Sequence, residues 1–75
     1  MTEAETAGAA WLREVGMRVR LGRVAARLSQ KELGEHAGVS RVTVGSIERG
    51  DHPASVVAFR RLANALRVEI GELLR

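Results

Sequence analysis

The chain has 75 residues and no cysteine, so it has room for a single domain and cannot form disulfides or thiolate metal sites. Its acidic start and the absence of an apolar run of about 18 residues predict neither a secretory signal nor a membrane span, and the cysteine-free composition suits a reducing cytoplasm. Residues 1–10 hold two of the nine acidic residues and none of the 12 basic ones, so the remainder has a net charge of +5 (12 minus seven), which favours a nucleic-acid partner.

The first predicted element is a helix that begins at Ala10. Residues 1–9 are small and polar without a helical period, and we predict a flexible tail there, followed by a folded domain over residues 10–75. Leu12, Val15 and Val19 lie along one face of the helix. Arg23 follows Val19 by four residues on that face, where an apolar residue is expected, so this arginine needs a special explanation.

Two short helices with clear start and stop signals come next. Ser29 and Glu32 form the S-x-x-E capping box of a helix that ends at Gly38, a residue suited to a left-handed C-cap. Ser40 is the N-cap of a second helix over about 41–49, which the next glycine ends. The β-branched residues in this stretch would also suit a strand, but the flanking caps favour a helix.

The rest of the chain predicts two more helices. Ser55 caps a fourth helix with apolar residues at helical spacing, and Ile70 to Leu74 form a final turn or two. The expected fold is therefore an all-α, compact five-helix domain with a helix-turn-helix at helices 2 and 3. The outward side of helix 3 is expected to combine hydrogen-bond donors with short apolar groups, as contacts to DNA base edges require, and comprises Arg41, Val42, Thr43, Ser46 and Arg49.

At these residues the chain resembles the Cro/cI-type (XRE-class) helix-turn-helix family of bacterial and phage regulators. The string that carries the resemblance is Ser29-Gln30-x-x-Leu33, Ala37-Gly38-Val39-Ser40, Val44 and Ile47-Glu48-Arg49-Gly50, followed by Leu62-Ala63-x-x-Leu66 and Glu72-Leu73. The family has a compact repressor-like domain whose third helix enters the major groove. It prefers alanine where this chain has Gly34, so a slightly looser helix 2 is expected here.

The resemblance implies roles for particular residues of this chain. Arg41, Val42 and Ser46 would face bases in the DNA. An ion pair between Arg23 and Glu48 would explain the misplaced arginine of helix 1. Backbone phosphates would be contacted by residues near both ends of helix 3 and at the start of helix 2, namely Gln30, Ser40, Thr43, Arg49 and His52. A homodimer interface would use residues near the C-terminus, namely Val68, Leu73 and Leu74.

These expectations describe a transcriptional regulator, of repressor or controller type, that binds a palindromic operator in double-stranded DNA as a homodimer. No cofactor, metal or small-molecule substrate is expected, and the expected location is the cytoplasm, at the nucleoid. An antitoxin that binds both a toxin protein and its own operator is the main alternative, with the acidic N-terminal residues as the handle. A protein-binding adaptor with the same fold is a weaker alternative, because Arg41 and Ser46 suit DNA better. An enzyme is not expected, since the sequence has no nucleophile–base pair, phosphate-binding glycine loop or metal-ligand spacing.

Overall fold

The computed structural model describes residues 2–51 and 54–75, and five α-helices account for most of them. The helices are α1 (Glu3–Ala25), α2 (Gln30–Ala37), α3 (Arg41–Arg49), α4 (Val56–Leu66) and α5 (Ile70–Leu74). The described residues contain no strand, so the helical interpretation of residues 41–49 is confirmed. None of these helices is long and apolar enough to cross a membrane.

The first four helices begin in the same way. A hydroxyl side chain just before each helix accepts a hydrogen bond from a backbone N–H three residues later, which satisfies a donor that has no partner within the helix. Ser29, Ser40 and Ser55 act as predicted, and each has the extended backbone of an N-cap residue. The fourth cap is Thr2, whose hydroxyl accepts from the N–H of Glu5.

The cap at Thr2 corrects the predicted flexible tail. Residues 3–9 form the first two turns of α1, seven residues before the helix was expected to begin. Thr2 closes the helix end, Glu3 and Glu5 place negative charge at its positive pole, and alanine-rich sequence favours helix without needing a buried face. The apolar periodicity could not indicate this start, since residues 2–8 are all exposed.

The core lies where α1, α2, α3 and α4 meet, with α5 closing one end. Val15 and Val19 of α1 are buried as their spacing predicted, and α4 buries Phe59 and Leu62. Within residues 2–51 and 54–75 the buried apolar residues are Val15, Val19, Leu33, Ala37, Val44, Ile47, Phe59, Leu62, Ala63 and Leu73. Fully burying a valine, leucine, isoleucine or phenylalanine side chain stabilises the folded state by about 1.5–3 kcal/mol. These few buried side chains therefore hold the helices together.

Two glycines allow backbone segments to approach closely. A Cβ on Gly16 would lie 2.7 Å from the carbonyl oxygen of Glu48, which means that α3 packs directly on the α1 backbone. A Cβ on Gly34 would lie 2.5 Å from the carbonyl oxygen of Val39. The expectation of a looser α2 at Gly34 is therefore wrong, because the turn occupies the space that an alanine would need.

The C-terminal end of α5 is tied to α1 through its backbone carbonyls. The Trp11 indole N–H donates to the Leu74 carbonyl at 3.1 Å, and Arg18 donates to the carbonyls of Leu73 (3.3 Å) and Arg75. The Leu73 side chain is only 4% exposed and belongs to the core. The placement of Leu73 in a dimer seam is therefore wrong, because this side chain points inward beneath α5; Val68 and Leu74 are half-buried.

Candidate nucleic-acid interface

The geometry of the helix-turn-helix unit is fixed by caps at both sides of its turn. Ser29 and Glu32 form the reciprocal capping box at the start of α2, with hydrogen bonds of 3.0 and 2.9 Å. Gly38 ends α2 with φ of +72°, which glycine adopts without a steric penalty. Ser40 starts α3 only two residues later. The short turn and its caps hold α3 rigidly against α2.

The N-terminal half of α3 exposes the side chains that were predicted to meet base edges. Arg41 is exposed and Val42 is 70% exposed, although apolar side chains of this size are usually buried. Val44 faces the core. Thr43 is half-buried, and its hydroxyl accepts from that of Ser40 at 2.9 Å. The beginning of α3 thus presents a cation and a short apolar group side by side.

Ser46 differs from its predicted exposure. Its helical position faces away from the core, yet it is only 8% exposed. Arg49 folds back along α3, with Nη2 donating to the Ser46 hydroxyl at 3.4 Å and Nε donating to Asp51 at 2.7 Å. The expectation that Ser46 is exposed is therefore wrong, although its position on α3 is outward, and its base-reading role, which stays a prediction, requires Arg49 to move aside.

The predicted ion pair between Arg23 and Glu48 is present and confirms the explanation of the misplaced arginine. Arg23 Nε donates to Glu48 Oε2 at 2.6 Å, and Nη2 donates to Oε1 at 3.0 Å, so the contact is bidentate. The side chains are 15% and 4% exposed. The hydrogen bond from Arg23 to Glu48 raises the pKa of Arg23, and a further bond to the Leu28 carbonyl at 2.9 Å fixes the guanidinium.

Gln30 joins this pair, which the sequence analysis did not predict. Its side-chain Nε2 donates to Glu48 Oε1 at 3.1 Å, so Glu48 receives three hydrogen bonds from two side chains. Gln30 is the first residue of α2 and remains half-buried. Its second amide hydrogen has no acceptor among the described residues and can serve another acceptor at this helix end. The spacing of Gln30 and Glu48 along the chain gave no signal of this contact.

The remaining predicted residues occupy different surroundings. Ser40 is exposed beside the turn, and Arg49 is exposed but paired with Asp51, a partner that was not predicted. His52 lies outside the described residues. Within residues 2–51 and 54–75, no group of three histidine, cysteine or acidic side chains could hold a metal ion. The described surface therefore offers cations and hydrogen-bond donors rather than metal ligands.

Comparison with known proteins gives a consistent result. A family model described as "Helix-turn-helix domain" matches residues 14–75. The chain is 36% identical over 45 residues to YgzD of Bacillus subtilis (strain 168), an uncharacterized HTH-type transcriptional regulator, and the match covers 60% of this chain and 68% of YgzD. The family-model match includes α2, the turn and α3.

Two solved structures have the same architecture. The restriction-modification controller protein C.AhdI from Aeromonas hydrophila superposes with a TM-score of 0.83 and 42% identity, over 85% of this chain and 97% of that one. The clp gene regulator ClgR from C. glutamicum superposes with a TM-score of 0.78 over 85% of this chain and 83% of that one. At 23% identity, ClgR supports the fold alone.

Proposed function

The chain belongs to the helix-turn-helix family of DNA-binding transcriptional regulators, and on this premise we propose that it binds a palindromic operator as a homodimer. The observation that carries the proposal is the exposed start of α3, where Arg41 and Val42 project from a capped helix. An α-helix, about 10–12 Å in diameter with its side chains, fits the major groove, which is about 12 Å wide. The members of this family are regulators rather than enzymes, so the site binds DNA without performing chemistry on it.

The side chains at the start of α3 suit direct recognition of bases. The Arg41 guanidinium has the planar pair of donors that matches O6 and N7 of guanine, and Val42 suits contact with a thymine methyl group. Ser46 would join them once Arg49 swings towards a phosphate, since Arg49 covers Ser46 in the free chain. Arg49 would thus exchange its solvent-exposed partner Asp51 for a phosphate at little cost in free energy, because an exposed ion pair contributes little to stability.

Phosphate contacts would hold α3 in register along the groove. Gln30 stands at the N-terminus of α2, where free backbone N–H groups and the helix dipole favour an anion. Ser40 and Thr43 place two hydroxyl groups at the start of α3. These contacts carry no base specificity, and they would fix the orientation in which Arg41 meets the base edges.

A single α3 covers about five base pairs, which is too short for a specific site, and this supports a two-fold pair on half-sites about one helical turn apart. Val68 and Leu74, half-buried near the C-terminus, are the proposed self-contact residues. The similarity to a restriction-modification controller protein favours a controller-type role, and the chromosome is the proposed place of action.

Selection of bound duplexes from a random library tests the operator, the symmetry and the dimer together. We expect a palindromic consensus, and a monomer bound to an asymmetric site would refute the homodimer. Arg41→Ala should weaken binding to the selected site by about 1–3 kcal/mol and relax preference at one position in each half-site. Arg67→Ala is the matched control, since Arg67 is exposed at the end of α4. An equal loss on unrelated DNA would contradict base recognition by Arg41.

A further inference from the structure

Three arginines follow one another at intervals of seven residues, two of them in α1 and the third just beyond its end. Seven residues make almost two helical turns, so Arg13 and Arg20 lie on nearly the same side of α1, about 10 Å apart along the axis, and Arg27 follows in the turn after the helix. All three are exposed. Both ion pairs found in the described part of the chain use other arginines, Arg23 and Arg49. We call Arg13, Arg20 and Arg27 the basic edge of α1.

The contacts of α1 show which way this edge faces. Val15 marks the side towards the core, and Gly16 and Arg23 mark the side that meets α3. Arg13 and Arg20 lie about 40–60° beyond Gly16 around the helix, away from the core. They therefore border the open side of the contact between α1 and α3.

The same open side carries the groove-facing surface of α3. Gly45 lies between the core side and the outward side of α3, and the ends of the Gln30 and Arg49 side chains lie close to it. At the C-terminus of α3, a Cβ on Gly50 would lie 2.9 Å from the backbone nitrogen of Arg13. The basic edge thus begins beside the end of α3.

The other end of the basic edge adjoins α2. Arg27 lies in the α1–α2 turn, two residues before the N-cap Ser29. Its φ of +60° is a left-handed conformation that disfavours every residue with a Cβ and that glycine adopts freely. Arg67 shares this conformation, so what marks Arg27 is its place, with an exposed side chain beside the start of α2.

We propose that the basic edge of α1, Arg13, Arg20 and Arg27, binds phosphates of the same DNA duplex that α3 enters. This inference rests on the proposed function and extends the interface beyond the helix-turn-helix unit. Guanidinium groups pair with phosphate oxygens through two parallel hydrogen bonds and release condensed counterions as they do so. Because the three arginines start from well-separated positions along the chain, each can pair with a phosphate of its own, and the three contributions should then add.

The test is the salt dependence of binding, measured by fluorescence anisotropy on the selected operator and on an unrelated duplex. Each phosphate contact contributes about 0.9 to the slope of log K against log salt concentration. When the salt concentration rises from 50 to 200 mM, each phosphate contact therefore weakens binding by about 3.5-fold. Over this range a variant that lacks one contact should lose about 3.5-fold less affinity than the wild type, and a variant that lacks three contacts about 40-fold less. We expect these changes for Arg20→Gln and for the triple glutamine variant, equally on both duplexes.

Arg67→Gln is the matched control for the single variant Arg20→Gln. Arg67 is also exposed, has φ of +59° and follows Leu66, which packs on Gly22. Gly22 lies on the side of α1 opposite Arg20, so Arg67, the neighbour of Leu66, lies across α1 from Arg20. The control removes the same charge and should leave the slope unchanged.

The outcomes separate the two proposals. A triple variant that binds the operator with the wild-type slope would overturn the basic edge and leave the proposed function intact. A slope change of the same size in Arg67→Gln would also overturn it, because net charge alone would then explain the effect. If the wild-type chain binds no duplex at all, the proposed function and this inference fail together.

Discussion

Removal of the Glu48 carboxylate is the sharpest test of how this small domain is held together. Glu48→Ala leaves the Arg23 guanidinium without its bidentate partner at 15% exposure and also frees the Gln30 amide. Breaking one partner of a buried pair costs about 3–5 kcal/mol. Water can still reach part of Arg23, so we expect the lower end, about 3 kcal/mol, which corresponds to a fall in Tm of about 12–24 °C for a domain of this size.

Urea and thermal unfolding followed by circular dichroism measure this loss, with an unchanged m-value as the sign that the native fold is retained. The paired control is Arg23→Met with Glu48→Leu, which removes both charges together. Replacing a buried ion pair by apolar residues of similar volume is often close to neutral, so the double variant should recover most of the stability. A loss below about 1 kcal/mol in Glu48→Ala, or a double variant as unstable as the single one, would refute this reasoning.

Three other substitutions test local features of the fold. Gly16→Ala should destabilise the domain by about 1–3 kcal/mol or more, because the added Cβ meets the backbone of α3. Gly8→Ala is the control and should not destabilise it, because the space around Gly8 is open. Equal Tm values for the two variants would contradict this explanation. Hydrogen bonds from the backbone and side chain of Ser29 lower the pKa of Glu32. The stabilisation of the fold by these bonds is therefore complete above the ordinary glutamate pKa and is lost as pH falls through the lowered value. In Ser29→Ala, NMR titration should show that the pKa of Glu32 has returned towards normal. Arg67→Gly should stabilise the chain by about 1 kcal/mol in urea unfolding, since φ is +59° there, and a loss of stability would mean that the side chain matters more than the backbone.

Much of this fold follows from short-range signals in the sequence. The serine caps at Ser29, Ser40 and Ser55 and the left-handed glycine at Gly38 were all predicted, because each satisfies a local backbone requirement within three or four residues. The ion pair was predicted from a mismatch, since a charge on an apolar stripe needs a partner, and the family resemblance supplied Glu48.

The errors have a common origin in contacts that the helical period does not encode. Ser46 is buried and accepts a hydrogen bond from Arg49, whose partner Asp51 lies beyond the helix. The inward direction of Leu73 depends on how α5 lies over α1, which is set by contacts more than 50 residues apart, such as Arg18 with the Leu73 carbonyl. The early start of α1 depends on a cap rather than on an apolar face.

The network around Glu48 also links the stability of the fold to its DNA-binding surface. An apolar pair would hold α1 and α3 together as well, so stability alone does not explain why the chain has charges at Arg23 and Glu48. What an apolar pair could not do is accept the hydrogen bond from Gln30, which orients this amide at the N-terminus of α2. We therefore expect Arg23→Met with Glu48→Leu to be stable and yet to bind DNA more weakly, by a similar factor on operator and unrelated duplexes, because an unanchored Gln30 contacts phosphate less often. Wild-type affinity in this variant would mean that the pair serves packing alone.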